Sequence, residues 1–323
     1  MIIKTPAPIF FTTEPTRYFA DQVAKKLDVP ISESGFIRFA STEVKVALQE
    51  SVRGENVFVF GTHEAPVHDA IMQQMILIDA AKRASAAQVT AVCPYLGYGR
   101  QDRKSRGREP ITSKLVCDMF RAAGADRIVT MDMHSGQSQG FFDGPFDHLI
   151  ARPAIERYIR AAYTDKGETP MMVSPDAGRT KQTERYAMQL GLDLAIIHTD
   201  RKAANSATAI ALMGDVEGRH CIINDDMIDT AGTIIAAAEL LKKRGATSVS
   251  VVATHGLFSD PAAERLANSP IDRIAVTDTL PLNIALTSPE VDIIPVADIF
   301  ADAIKAIHEN GSVSELFGGE NNS

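Results

Sequence analysis

The sequence predicts an α/β fold made of doubly wound parallel sheets, arranged as two similar halves. Short apolar runs of strand length alternate with segments of helical periodicity along most of the 323 residues. These runs are apolar throughout instead of alternating with polar residues, which is typical of parallel strands buried on both faces. A helix–glycine–strand–histidine unit also occurs twice, since Gly124 and Gly245, like His134 and His255, are 121 residues apart.

The first half contains three predicted strands and two predicted helices. The run from Gly54 to Gly61 is apolar between two glycines and has the length of a strand. A helix follows it, because Ile71, Met75 and Ile78 recur on one face at helical spacing. The predicted elements are strands over 54–61, 88–93 and 127–131, and helices over 68–83 and 112–123.

The second half repeats this alternation. Its helix over 232–243 leads to Gly245 as the helix over 112–123 leads to Gly124, and glycine is favoured where a helix terminates. The common offset favours an internal duplication, although similar α/β units can also match by chance. The predicted elements are strands over 171–174, 194–197, 220–223 and 248–253, and helices over 179–190 and 232–243.

The length indicates two domains, since one domain usually takes roughly 100–200 residues. The expected division is an N-terminal half at 1–149, a C-terminal half at 150–308 and a tail at 309–323. The tail is rich in glycine, asparagine and serine, so its last residues are expected to be flexible.

The composition excludes several classes of protein. Lys and Arg number 33 against 41 Asp and Glu, which leaves a net charge of −8 and no overall footprint for nucleic acid or an anionic membrane. No run approaches the roughly 18 apolar residues that a membrane helix needs. The three cysteines are odd in number and widely spaced, which indicates reduced, buried thiols and a cytoplasmic location.

The most informative stretch follows the predicted strand 220–223. Asp225 and Asp226 come at the carboxyl edge, where open α/β sheets place ligands. The loop from Asp229 to Thr233 then opens a helix, and its small residues and hydroxyls suit an anion at the helix N-terminus. Carboxylates beside an anion site fit a ligand that is both polyol and phosphate, and they also suit hydrated Mg²⁺. The simpler alternative is a helix cap with solvated charges.

Three other segments are less specific by themselves. Arg100 to Lys104 holds three cations and one carboxylate, which could bind a polyphosphate or be a solvated charge run. Ser174 to Gly178 is a tight turn after a strand, suited to a pyrophosphate or simply a Pro-Asp turn. Asp132 and His134 follow another strand, where a histidine is more often a hydrogen-bonded rim residue.

Together these motifs resemble the ribose-phosphate pyrophosphokinase family over nearly the whole chain, from about Phe39 to Phe317. The motifs that carry the resemblance are Pro94-Tyr-Leu-Gly-Tyr-Gly-Arg-Gln-Asp-Arg-Lys104, Thr130-Met-Asp-Met-His134, Val173-Ser-Pro-Asp-Ala-Gly178, Asn224-Asp-Asp-Met-Ile-Asp-Thr-Ala-Gly-Thr233 and Ala253-Thr-His-Gly-Leu-Phe258. The resemblance implies that both halves have the phosphoribosyltransferase type of fold. It also implies an enzyme that transfers the β,γ-diphosphoryl group of Mg²⁺–ATP to the 1-hydroxyl of ribose 5-phosphate and releases AMP.

The resemblance implies binding roles for individual residues. The residues expected to bind ATP are Phe39, Ser41, Thr42, Glu43, Arg100, Gln101 and Asp102. The residues expected to bind ribose 5-phosphate are Asp176, Arg201, Asp225, Asp226, Asp229, Thr230, Ala231, Gly232 and Thr233. Magnesium is expected near His134 and Asp176, and catalysis is expected to involve His134 and Arg201.

The resemblance further implies regulation and assembly. Members of the family form dimers that build a hexamer, with phosphate as an activator and ADP as an inhibitor. The residues expected at the effector site are Lys104, Ser105, Arg108, Gln139, Asp143, Ser312, Ser314 and Phe317.

One departure from the family pattern bears on activity. The position of a family lysine that stabilises the transition state is Thr199 here, while the arginine two residues later is present as Arg201. A threonine cannot neutralise charge on the transferred phosphoryl oxygens. Lys202 is a neighbouring cation that could compensate. The alternative function is therefore a catalytically impaired regulatory subunit, and a phosphoribosyltransferase is a more distant third.

Overall fold

The described residues of this computed structural model are 7–203, 206–284 and 288–318, and side chains are described outside 199–203 and 206–210. The chain divides into two units. The first comprises Met1–Ile150, Thr279–Pro281 and Val296–Ser323, and the second Ala151–Asp278 and Leu282–Pro295. Residues 319–323, for which flexibility is predicted, lie outside the described residues.

The first unit is built on a five-stranded parallel sheet. In chain order its elements are β1 (Ile9–Thr12), α1 (Arg17–Leu27), β2 (Ile37–Arg38), β3 (Val44–Lys45), β4 (Asn56–Phe60), α2 (Val67–Arg83), β5 (Gln88–Cys93), α3 (Thr112–Ala123), β6 (Arg127–Met131) and β7 (Phe146–Leu149). The strand order is β1-β4-β5-β6-β7, and β2 and β3 form a separate antiparallel hairpin.

Both faces of this sheet are covered, which is why its strands are apolar throughout. Val57 and Val59 of β4 belong to the core that also contains residues of α2 and α3. The alternate residues Phe58 and Phe60 lie on the opposite face, where Phe10 of β1 packs edge to face against both. Buried side chains on both faces are the property from which the parallel sheet was predicted.

The second unit contains a seven-stranded sheet. Its elements are α4 (Arg152–Ala162), β8 (Met171–Ser174), α5 (Thr180–Leu190), β9 (Leu194–Ala203), β10 (Ser206–Met213), β11 (His220–Ile228), α6 (Gly232–Lys243), β12 (Ser248–Gly256), α7 (Ala262–Ala267), β13 (Arg273–Thr277) and β14 (Glu290–Ile294). The order is β10-β9-β8-β11-β12-β13-β14, and all neighbours are parallel except β10 and β9.

The direction of winding reverses between β8 and β11. From β8 the chain goes to β9 on one side, and from β11 it goes to β12, β13 and β14 on the other. Open α/β sheets bind ligands at the carboxyl ends of the strands on either side of such a reversal. The described strands of the first unit show no such reversal, because the five strands of its sheet lie side by side in the order in which they occur along the chain. The segment β5-α3-β6-β7 nevertheless has the same order as β11-α6-β12-β13.

Two strands are longer than predicted. β11 is predicted to end before Asp225 and Asp226, but it continues to Ile228 because it pairs with β12 up to Gly256. Its pairing with β8 ends earlier, at Ile223. Similarly, β9 continues past residue 197 because it pairs with β10 in an antiparallel ribbon.

The last helix, α8 (Ala297–His308), belongs to the first unit, whereas the sequence assigned residues up to 308 to the C-terminal half. The physical reason is its packing against α1, where Phe300 meets Phe19 edge to face with ring centroids 5.0 Å apart. Both rings are fully buried. The chain passes between the units at Ile150, one residue beyond the predicted boundary.

The prediction of an α/β fold with parallel sheets is confirmed, and so is the burial of free thiols at Cys93, Cys117 and Cys221. Burial raises the pKa of Cys117 and of Cys221 to about 11. Among the described residues, no helix is both long and apolar enough to span a membrane.

Candidate functional site

The candidate ligand-binding edge of the second unit lies where β11 extends past the end of β8. β8 stops at Ser174, whereas β11 continues through Asp225 and Asp226 to Ile228. The two carboxylates therefore sit at the carboxyl edge of the sheet, beside the reversal of winding, although they lie within the strand and not after it. This placement agrees with the ligand-binding edge of open α/β sheets.

Asp225 and Asp226 form a close pair of acidic side chains. The backbone N–H of Asp226 donates to Oδ1 of Asp225 at 2.9 Å, and that of Met227 donates to Oδ1 of Asp226 at 3.0 Å. Asp226 is only 4% exposed. Burial, reinforced by the Asp226 carboxylate, raises the pKa of Asp225 well above its ordinary value. Such a pair accepts hydrogen bonds from ligand hydroxyls or holds a cation, and either would relieve the repulsion.

Arg179 brings a positive charge to the same edge of the sheet. Its Nε lies 3.7 Å from Oδ1 of Asp225. This guanidinium lowers the pKa of Asp225, and it opposes the larger increases caused by burial and by the Asp226 carboxylate. Arg179 belongs to the turn after β8, so this contact links the turn to β11.

The turn after β8 is organised by its own aspartate. Oδ1 of Asp176 accepts the backbone N–H groups of Gly178 at 2.9 Å and Arg179 at 3.1 Å. The hydroxyl of Ser174 donates to the backbone carbonyl of Asp176 at 2.7 Å. These bonds fix the turn at the entrance to α5, and they occupy one carboxylate oxygen of Asp176.

The loop between β11 and α6 is short and tightly bent. Ala231 has a φ of 61°, in the left-handed region that few residues other than glycine adopt. Small residues at 231 and 232 let the chain turn directly into the 12-residue helix α6, whose first N–H groups lack partners from within the helix. Arg265 of α7 donates to the carbonyl of Thr230 at 3.0 Å and holds the loop from outside. The loop thus has the form expected of an anion site.

Thr199, Arg201 and Lys202 belong to β9. This strand pairs with β10, and the pairing places Thr199 opposite Ala209. The predictions for the Thr199 and Arg201 side chains fall outside the described side chains.

In the first unit, the loop between β5 and α3 carries Arg100, Gln101 and Asp102. Gln101 is fixed at the start of α3, because Thr112 donates from Oγ1 to its side-chain Oε1 at 2.7 Å and the N–H of Ser113 donates to its carbonyl at 3.2 Å. Arg100 and Gln101 are exposed, and Asp102 is half-buried.

The turn after β6 carries His134, which is exposed. Asp132 has a positive φ of 37°, and the N–H of Met133 donates to Nε2 of His148 on β7 at 2.9 Å. Burial lowers the pKa of His148, with Asp132 opposing the shift, so the neutral ring remains an acceptor. His148 is a supporting residue that the sequence analysis missed.

The hairpin of β2 and β3 carries the other residues predicted to bind ATP. Phe39 is 49% exposed at its tip, and Thr42 has a positive φ of 72°. The hydroxyl of Ser41 donates to Oε2 of Glu43 at 2.9 Å. Stacking of the exposed Phe39 ring on a base stays a prediction.

The residues predicted for the effector site lie in three segments of the first unit. The described contacts add Glu109, whose Oε2 accepts the N–H groups of Ser105 at 2.7 Å and Arg106 at 2.9 Å. The segments are the β5–α3 loop with Lys104, Ser105 and Arg108, the turn after β6 with Gln139 and Asp143, and the tail with Ser312, Ser314 and Phe317.

Three contacts that were not predicted from the sequence join residues at least 15 positions apart in the chain. Arg179 meets Asp225, Arg265 meets Thr230, and His148 meets Met133. Only Arg179 had a local signal, since a cation in a predicted pyrophosphate turn is itself suggestive.

Comparison with known proteins identifies relatives along nearly the whole chain. The model of the N-terminal domain of ribose phosphate pyrophosphokinase matches residues 9–124, and that of the phosphoribosyl synthetase-associated domain matches residues 204–318. The ribose-phosphate pyrophosphokinase of Bifidobacterium longum is 48% identical over 301 residues, covering 92% of this chain and 88% of the relative. That of Mycobacterium tuberculosis H37Rv is 46% identical and covers 93% of each chain.

A solved structure agrees with these relatives. The crystal structure of phosphoribosylpyrophosphate synthetase from Mycobacterium smegmatis superposes with a TM-score of 0.87 at 45% identity. The match covers 94% of this chain and 99% of that one.

Proposed function

The chain belongs to the ribose-phosphate pyrophosphokinase family, and from this premise we infer that it synthesises 5-phosphoribosyl 1-pyrophosphate. Its substrates are ATP and ribose 5-phosphate, and its second product is AMP. The observation in the structure that best supports this function is the carboxyl edge of the second unit's sheet. There, the carboxylates of Asp225 and Asp226 stand beside the Asp229–Thr233 loop, a combination suited to a sugar phosphate. No finding favours the alternative of an impaired regulatory subunit.

The reaction is a transfer of a diphosphoryl group. The 1-hydroxyl oxygen of ribose 5-phosphate bonds to the β-phosphorus of ATP and loses its proton. The bond from that phosphorus to the oxygen bridging the α-phosphorus breaks, and AMP leaves with this oxygen. Catalysis of such transfers consists mainly of positioning and of stabilising charge on the phosphoryl oxygens.

We propose that the residues of the second unit bind the acceptor. The loop from Asp229 to Thr233 binds the 5-phosphate through backbone N–H groups and hydroxyls, while Asp225 and Asp226 accept hydrogen bonds from the ribose hydroxyls. Asp176 orients the turn after β8, and Arg201 stabilises the transferred group.

We propose that ATP is bound by residues of the first unit. The exposed ring of Phe39 stacks on adenine, with Ser41, Thr42 and Glu43 beside it. The polyphosphate is contacted by the loop containing Arg100, Gln101 and Asp102, and by His134.

A divalent cation, Mg²⁺, fits this assignment. Among the described residues, no group of three or more His, Cys, Asp or Glu side chains could hold a metal alone. Mg²⁺ typically takes one or two carboxylates together with substrate phosphates and water, so ATP would complete its ligands beside Asp176, with His134 near the polyphosphate. The ion would neutralise the polyphosphate.

A cytoplasmic location of the protein is part of the same proposal.

The first test measures AMP formation by the purified chain with Mg²⁺, ATP and ribose 5-phosphate. We expect AMP and 5-phosphoribosyl 1-pyrophosphate in equal amounts. The matched control is a ribose 5-phosphate analogue without the 1-hydroxyl, which should give no AMP because it lacks the nucleophile. AMP formation that persists with this analogue, or ADP as the product, would contradict the proposed transfer.

We also propose a homo-oligomer, a hexamer with phosphate as activator and ADP as inhibitor. Its support is an apolar stripe formed by the residue before α3 and one face of α3, where Ile111, Leu115 and Met119 are 36%, 54% and 36% exposed at a spacing of four residues. Light scattering should give the mass of a hexamer, and Leu115→Lys should reduce it. A monomeric wild-type chain would refute the assembly.

A further inference from the structure

His63 of the first unit is a buried histidine that the proposed mechanism does not use. It follows β4, is 2% exposed, and its ring stacks on Phe120 of α3 with centroids 5.7 Å apart. Its backbone N–H donates to the carbonyl of Tyr95 at 3.1 Å, and its Nδ1 accepts the N–H of Gly97 at 2.9 Å. His63 therefore holds the beginning of the β5–α3 loop at two points.

Gln74 of α2 determines which nitrogen of His63 carries the proton. The Gln74 amide nitrogen donates to the carbonyls of Val59 at 2.9 Å and Val92 at 3.2 Å, so its oxygen must face the other way. That oxygen lies 2.9 Å from Nε2 of His63, which therefore donates, and Nδ1 is left as an acceptor for Gly97. Burial lowers the pKa of His63 to about 4, which keeps the ring neutral near pH 7.

Two glycines allow this close packing. A Cβ atom on Gly61 would lie 2.5 Å from Cδ of Gln74, which two strand carbonyls hold in place. A Cβ atom on Gly97 would lie 3.0 Å from Cβ of His63 and 2.8 Å from Cγ2 of Val67. The loop backbone at Gly97 thus packs closely against His63.

The same loop is also fixed at its other end. The N–H of Gln101 donates to the carbonyl of Tyr98 at 2.9 Å, and Tyr98 has a positive φ of 64°. Gln101 in turn accepts from Thr112 and Ser113 at the start of α3. Between the two anchors stands Arg100, which is exposed. Loss of the anchor at Gly97 would release the strained segment next to Arg100.

We propose that His63 is a positioning residue for the nucleotide: by accepting the Gly97 N–H, it holds the β5–α3 loop so that Arg100 and Gln101 meet the polyphosphate of ATP. This inference rests on the proposed function, because ATP is the ligand assigned to that loop. His63 itself contacts no substrate. It acts through the backbone of Gly97, and the bond is fixed in advance by Gln74.

Two amide variants separate this role from a general contribution to stability. In His63→Asn, the side-chain oxygen can take the place of Nδ1 and accept from Gly97, but the bond to Gln74 is lost. In His63→Gln, the longer amide can still donate to Gln74, but the acceptor beside Gly97 is lost. Each variant keeps one of the two bonds, so comparable losses of stability are expected.

Their kinetics should differ. We expect His63→Gln to raise the KM for ATP about tenfold, as expected for one lost positioning hydrogen bond, while His63→Asn stays within about threefold of wild type. The KM for ribose 5-phosphate should change little in either variant. Equal KM values for ATP in the two variants, or equal losses for both substrates, would overturn the proposal.

Two further measurements distinguish a failure of the His63 proposal from a failure of the proposed function. Hydrogen exchange of the Gly97 amide should be slow in wild type and His63→Asn and fast in His63→Gln, whatever the chain binds. Exchange that is equally slow in His63→Gln would refute the anchor. Arg100→Ala should raise the KM for ATP. If it does not while the exchange rates behave as expected, the assignment of ATP to this loop is wrong, and with it the role of His63 toward the nucleotide.

Discussion

Asp225→Asn is expected to lower kcat/KM for ribose 5-phosphate about 100-fold and, at the same time, to stabilise the chain without ligand. The loss follows from replacing a charged acceptor of ribose hydroxyls by a neutral one, since hydrogen bonds to charged groups contribute about 1.5–3 kcal/mol. The asparagine oxygen can still accept the N–H of Asp226, so the local backbone geometry is retained.

The gain in stability has its cause in the raised pKa of Asp225. The pKa of this carboxyl is higher in the folded chain than in the unfolded chain. Ionisation of Asp225 is therefore less favourable in the folded chain and lowers its stability. Wild type therefore loses stability relative to Asp225→Asn as the pH rises from about 4 through the folded-state pKa. The difference in free energy of unfolding should be near zero around pH 4 and largest above the folded-state pKa.

The change in stability is measured by denaturant unfolding at several pH values. The change in kcat/KM is measured from initial rates of AMP formation. Asp165→Asn is the matched control, because Asp165 is exposed in the same unit and should change neither. A destabilised Asp225→Asn chain at neutral pH would show that Asp225 is needed for folding. An unchanged kcat/KM would remove Asp225 from the acceptor site.

Thr199→Lys is expected to raise kcat by about 100-fold. Donors or cations aimed at developing charge contribute on the order of 10²–10³ in rate, and position 199 lacks the lysine that the family pattern has there. The KM values should change less, because the added charge interacts mainly with the transition state.

Two comparisons establish whether the position or only the charge matters. Thr208→Lys places the same charge on β10 of the same ribbon, and it should leave kcat within about threefold of wild type. Lys202→Ala tests whether that lysine compensates in the wild-type chain. Equal turnover by wild type and Thr199→Lys would mean that Arg201, with or without Lys202, is sufficient. Inactivity of both would contradict the role assigned to this segment.

The regular elements were predictable where the strands are buried on both faces. β5, β6, β8, α3 and α6 have the predicted bounds, since continuous apolar runs and glycine stops are local signals. The ends of β9 and β11 were not predictable, because they depend on pairing with β10 and β12. β2 and β3 were missed because each is only two residues long.

The candidate site was predictable as a set of residues and not as a set of contacts. Asp225, Asp226 and the loop to Thr233 are contiguous, so one stretch of sequence contained their signal. Arg179 in the turn after β8 lies 46 positions before Asp225 of β11, and no local pattern encodes the contact between them. The same holds for His63 and Gly97, which lie on loops after neighbouring strands.

By itself, the sequence determined the α/β class, the burial of the thiols and the family, because each depends on local periodicity or on contiguous residues. It also placed the motif that we propose binds the sugar phosphate in one contiguous stretch. Only the tertiary structure decided that α8 packs with the first unit, that β11 carries its carboxylates past the end of β8, and that His63 and His148 support loops as neutral acceptors. These features arise from burial, strand pairing and desolvation between distant segments, which act only once the chain has folded.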